Sequence, residues 1–124
     1  MNFHIVCIYT DNAPRLASFY ETLFRETPVV EGSHYGFPKA RLAVYDPGNV
    51  TVAEHKTMSV IFTAEDVMAE YHRLRKTLPE LRVTSPPKSR PWGAYSFWFL
   101  DPDGNTVSLL ERKGEAVLPS QADA

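Results

Sequence analysis

The feature that most constrains this chain is an internal repeat. Ile8-Tyr9-Thr10 is echoed 53 residues later by Ile61-Phe62-Thr63, and Asp46-Pro47-Gly48-Asn49 is echoed 55 residues later by Asp101-Pro102-Asp103-Gly104-Asn105. Each copy would fill roughly half of the 124 residues. Within each copy the pattern reads strand, helix, then three strands. Such a unit leaves one sheet face that it cannot bury alone, so two units must pair. The expected fold is α+β: two βαβββ modules forming a curved, mostly antiparallel eight-stranded sheet around a cleft, with helices on the outer face. Residues 1–124 are read as a single domain. Module one covers about 1–55, module two about 56–112, and a flexible tail 113–124, where the chain turns polar and aperiodic.

Local signals place the elements. Met1–Tyr9 is short, apolar and rich in Ile and Val, as strands are. Asp11 or Asn12 can cap a helix, Pro14 suits its first turn, and Leu16, Phe19, Tyr20 and Leu23 make one apolar face. Thr27–Val30, Ser33–Phe37 and Ala40–Tyr45 read as strands. Met58–Phe62 opens the second module. Thr63 with Asp66 fits the capping pattern ahead of Val67, Tyr71 and Leu74. Arg73-Leu74-Arg75-Lys76 reads as a helix end complementing its dipole. Leu81–Thr84 is a strand, Ser85–Pro91 with three prolines a loop, and Ala94–Leu100 and Thr106–Glu111 are strands around a turn.

Charge and composition exclude several classes. A net charge of −2 leaves no basic excess for a phosphate backbone, so no nucleic-acid partner is expected. No signal pattern and no apolar run long enough to span a bilayer occur, so no membrane partner is expected and the location reads as cytoplasmic. Cys7 is the only cysteine; inside the run Ile5–Tyr9 it reads as a buried, inert thiol. No Ser-His-Asp order, glycine-rich phosphate loop or zinc-type cysteine spacing is present. His34, His55 and His72 read as surface residues.

The same residues carry a family resemblance. His4-Ile5-Val6-Cys7-Ile8-Tyr9-Thr10-Asp11, followed by Leu16 and Phe19-Tyr20, resembles the first strand and helix of the vicinal oxygen chelate superfamily, which includes glyoxalases, bleomycin resistance proteins and dioxygenases. Arg41-Leu42-Ala43-Val44-Tyr45-Asp46-Pro47 is similar to its fourth strand, and Asp101–Asn105 with the strand that follows is similar to its ending. The resemblance spans about residues 2–112 and implies a homodimer. It also implies four metal-ligand positions, which fall here on His4, Arg41, Ser59 and Ser108. Divalent metals need at least three imidazole, carboxylate or thiolate donors. Only His4 qualifies, and Arg41 would place a permanent cation where the metal should sit. No metal and no cofactor are expected.

Strand alternation would turn His4, Val6 and Ile8 into the cleft, with Arg41, Ala43 and Tyr45, then Thr57, Ser59 and Ile61, then Thr106, Ser108 and Leu110. Arg41 offers a planar fork for a carboxylate or phosphate. Tyr35, Phe37, Trp92, Tyr95, Phe97, Trp98 and Phe99 would lie near the cleft, with Trp92 at its rim. Trp98 must oppose Phe97 and Phe99, so one side of that strand is core or interface. The candidate ligand-binding residues are His4, Arg41, Tyr45, Ser59, Trp92, Phe97 and Ser108. The leading reading is a metal-independent protein that binds a small organic, anionic or carbonyl-bearing ligand. Enzyme activity is left open. One alternative is a lyase or isomerase acting on a small carbonyl or thiol-adduct substrate, with His4 as catalytic base and Arg41 stabilising an oxyanion. The other is a structural dimerisation module whose cleft is filled by side chains.

Overall fold

The structure, a computed structural model, describes residues 1–112; the expected tail at 113–124 lies outside the described residues. It resolves into two compact units. The first comprises Met1–Lys56 together with Asp101–Gly104, and the second comprises Thr57–Leu100 and the chain from Asn105. Each unit carries one helix and one four-stranded sheet with a single parallel pair, and neither sheet is closed. The protein is therefore an α+β fold of two βαβββ modules.

In the first unit the strands are β1 (Val6–Tyr9), β2 (Val29–Glu31), β3 (His34–Phe37) and β4 (Leu42–Tyr45), in the order β1-β4-β3-β2. Helix α1 spans Ala13–Phe24. Asn12 caps it by accepting from Arg15 N–H at 3.2 Å, and Pro14 sits in the first turn. Leu16, Phe19, Tyr20 and Leu23 are all buried. Phe24 meets Phe37 edge-on at 5.3 Å, so α1 covers the sheet face that holds Phe37. Phe37 pairs with Leu42, and directly paired residues point the same way.

Strand β1 is shorter than Met1–Tyr9. Its partner β4 begins only at Leu42, because Arg41 closes the β3–β4 loop in the left-handed region at φ 62°, with its N–H donating to Phe37 O. The register also corrects the facing of β1. Val6 pairs with Leu42 and Ile8 with Val44, so Val6 and Ile8 lie on the helix side. The open face instead carries Cys7 and Tyr9 beside Ala43 and Tyr45. Cys7 is accordingly exposed rather than buried. Partial burial still raises its thiol pKa, so the thiolate is disfavoured.

The turn Asp101–Gly104 is tied down by α1. Tyr20 Oη donates to Asp101 Oδ2 at 2.6 Å, with both residues fully buried. Arg15 pairs with Asp103 at 3.0 Å, and Asp103 N–H donates back to Asp101 Oδ1. Burial, then the charge of Asp101 and the hydrogen bond to it, and then Asp103 push the Tyr20 phenol well above its usual pKa. The phenol therefore remains a neutral donor.

In the second unit the strands are β5 (Ser59–Thr63), β6 (Arg82–Ser89), β7 (Ala94–Leu100) and β8 (Thr106–Arg112), in the order β5-β8-β7-β6. Helix α2 spans Val67–Thr77. Its cap is Asp66, which accepts from Ala69 N–H at 3.0 Å; Thr63 belongs to β5 instead. Arg75 and Lys76 occupy its last turn, where they complement the dipole. Tyr71 of α2 meets Phe97 edge-on at 5.3 Å, and Phe97 stacks on Phe99.

The segment expected as a loop over Ser85–Pro91 is strand as far as Ser89. Proline cannot donate to a ladder and is tolerated on edge strands and at bulges. β6 meets both conditions: it is an edge strand, and its pairing with β7 shifts register between Ser85 and Lys88, where Pro86 and Pro87 lie.

Candidate functional site

Alternation along β7 and β8 gives the second sheet two unlike faces. Phe97 pairs with Leu109 and Phe99 with Val107, beneath α2. The opposite face carries Ser96 and Trp98, paired with Leu110 and Ser108. Strand β5 adds Ser59, paired with Thr106, and Ile61, paired with Ser108. A cavity of about 260 Å³ lies on this face, lined by Ser59, Ile61, Trp92, Ser96, Trp98, Thr106, Ser108 and Leu110. Ser96 and Ser108 are buried at its floor, while Ser59, Ile61 and Trp92 are exposed at its rim. Among the described residues no carboxylate, imidazole or ammonium lines it. The hydroxyls of Ser59, Thr106 and Ser108 have no partner among the described residues, which leaves them able to donate to or accept from a guest.

Arg90, which no sequence motif marks, also belongs to this site. Arg90, only 7% exposed, donates from Nε to Ser96 Oγ at 2.9 Å and from Nη2 to Ser96 O at 3.0 Å. Its guanidinium carbon sits 4.1 Å from the centroid of the Trp98 ring. The tight turn Arg90–Ala94 holds it there: Arg90 N–H donates to Ala94 O, and Gly93 takes φ 87°, a conformation open to glycine without penalty. Strand parity places Ser96 and Trp98 opposite Phe97 and Phe99, but it carries no signal for Arg90, which precedes the strand.

The other expected site residues lie elsewhere. His4 and Arg41 line a hollow of about 300 Å³ in the first unit with Ile5, Val29, Gly36 and Pro38. That hollow is shallow, since His4, Val29, Pro38 and Arg41 are all exposed. Arg41 donates from Nη2 to Phe3 O at 2.6 Å and from Nε to His4 O at 3.2 Å, with Phe3 against its guanidinium. Its fork therefore clasps the N-terminal segment. Tyr45 lies on the open face of the first sheet with Tyr9 and His34. Phe97 is fully buried under α2, and Phe37 is fully buried against α1; strand parity turns both away from the open faces. Trp92, Ser59 and Ser108 are the expected residues that come together.

The donor set decides whether a divalent metal fits. Among the described residues no group of three His, Cys, Asp or Glu converges. Ser59 and Ser108 offer neutral hydroxyls, and Arg41 offers a cation. These residues do not fit such a metal. Among the described residues no helix is long and apolar enough to cross a membrane.

A family model described as "Glyoxalase/Bleomycin resistance protein/Dioxygenase superfamily" matches residues 2–109. No curated protein matches the sequence at a significant level. Among solved structures, a glyoxalase/bleomycin resistance protein/dioxygenase from Nocardioides is similar with a TM-score of 0.76 and 20% identity, over 96% of this chain and 88% of that one. The fosfomycin resistance protein FosX from Listeria monocytogenes is similar with a TM-score of 0.73 and 13% identity, over 95% and 98%. A lactoylglutathione lyase from Agrobacterium tumefaciens is similar with a TM-score of 0.63 and 22% identity, over 89% and 92%. At these identities the likeness is one of fold.

Proposed function

This chain belongs to the glyoxalase/bleomycin resistance protein/dioxygenase superfamily, and on that premise we propose that it binds a small organic ligand without a metal. The supporting observation is the pocket on the open face of the second sheet. Two indoles, Ile61 and Leu110 give it apolar walls, and the hydroxyls of Ser59, Thr106 and Ser108, unengaged among the described residues, give it polar points from rim to floor. Apolar walls with a few placed polar groups are what small-molecule sites use for affinity and orientation. At about 260 Å³ the pocket is just under the ~300 Å³ typical of drug-sized guests, so a one- or two-ring molecule fits. The anionic preference, homodimeric assembly and cytoplasmic setting belong to the same proposal.

Catalysis has less support. In the lyase or isomerase reading Arg41 would steady an oxyanion, but its Nε and Nη2 are held by backbone carbonyls. A thermal-shift screen of chemically diverse one- and two-ring compounds tests the binding reading. A ligand present at 100 times its Kd adds about 2.7 kcal/mol of stability. Hits should stabilise the wild type and fail to stabilise Ser59→Trp, which fills the pocket from its exposed rim. Absence of hits, or hits that persist in Ser59→Trp, would refute it.

A further inference from the structure

We infer that the occupant of the second-sheet pocket is a planar aromatic carboxylate, for which Arg90 supplies the counter-charge through Ser96 and Trp98. The inference rests on the binding reading above and names the ligand class for that site. Among the described residues Arg90 is a buried charge with no acid paired to it. Arg90 is 7% exposed, and buried guanidinium groups are nearly always paired with acids. Among the described residues its hydrogen bonds go to Ser96 Oγ and Ser96 O, and its face goes to an indole. None of these neutralises a positive charge.

Two consequences reach the pocket. Because Ser96 Oγ accepts from the guanidinium, its own proton is free to point elsewhere, and Ser96 lines the pocket. A hydroxyl that accepts from a cation becomes a stronger donor and favours an acceptor, above all an anionic one. Trp98 also lines the pocket, and the cation against its ring draws on the negative π-face. The indole is then a poor partner for a second cation and a good platform for an anionic planar ring. Among the described residues no acid in the lining opposes an anion, and the hydroxyls of Ser59, Thr106 and Ser108 can donate to it. The single guanidinium matches a monoanion. A phosphate dianion would call for further cations, and among the described residues no lysine or arginine is in the lining.

The test is calorimetric titration of the full chain with matched pairs: benzoate against benzamide, and 2-naphthoate against 2-naphthamide. Each acid should bind about tenfold or more tightly than its amide, the scale of one charge-assisted hydrogen bond. Arg90→Gln should abolish that preference. Should Arg90→Gln fail to fold, Ser96→Ala removes the relay hydroxyl and should bring acid and amide close to parity. Equal affinity of acid and amide in the wild type would overturn the anion assignment while leaving a neutral-ligand pocket intact. An acid preference that survives both variants would place the counter-charge elsewhere. Binding of neither member would overturn the class, whereas the parent reading falls only if the diverse-compound screen also fails.

Discussion

Replacing Tyr20 with Phe isolates the bond that ties the Asp101–Gly104 turn to α1. The ring stays in place, fully buried, and only the 2.6 Å donation to Asp101 Oδ2 is lost. A hydrogen bond to a charged acceptor contributes about 1.5–3 kcal/mol. For a chain of this size that lowers Tm by roughly 5–15 °C. The pH dependence has a definite sign. Burial and the nearby Asp101 and Asp103 raise the phenol pKa in the folded state, while the unfolded phenol titrates near ~10. Below that value both states are protonated and the full stabilisation is present. As pH rises past it, the unfolded chain ionises first, and the wild type loses stability that the Phe variant never had. Urea unfolding of both proteins from pH 7 to pH 11 should show a gap that is widest at neutral pH and shrinks above about pH 10. Equal stability at pH 7, or a gap constant across the series, would refute the role given to this bond.

Other expectations follow from single residues. Phe97→Ala, beneath α2, should cost about 3–5 kcal/mol of unfolding free energy by chemical denaturation, whereas a lining role would alter binding with little loss of stability. Arg41→Gly should be more stable than Arg41→Ala by about 1 kcal/mol, because φ 62° suits glycine. Pro86→Val with Pro87→Val should restore donors to the edge strand β6 and promote concentration-dependent association in light scattering. Exposed Cys7 should react with a thiol reagent in the native state, with a rate that climbs with pH into the range above its ordinary value.

The parts of this molecule legible in sequence are those set by local chemistry. Asn12, Pro14 and the Leu16–Leu23 stripe define α1 through capping and periodicity, and they do so without reference to any other segment. Ser59, Trp92 and Ser108 meet in one pocket, and the two serines could be placed by strand parity. The facing of β1 was not legible, because a slip of one residue reverses every side chain and only pairing with β4 sets the register. Pro86 and Pro87 looked like loop because nothing local says that β6 is an edge strand. Arg41 looked like a ligand fork, but its left-handed backbone and its hold on Phe3 O and His4 O are tertiary facts. Arg90 was hidden for a related reason: within a proline-rich segment nothing announces a buried cation stacked on a tryptophan eight residues ahead.

The most direct test is where a small guest settles. The chain has two tryptophans, and both line the second-sheet pocket, so their indole N–H resonances in a proton–nitrogen correlation spectrum report on it. Titration with 2-naphthoate should move both indole signals along one saturable curve. Saturable binding that leaves both unmoved, with shifts confined to residues near His4 and Arg41, would put the guest in the other hollow and contradict the account.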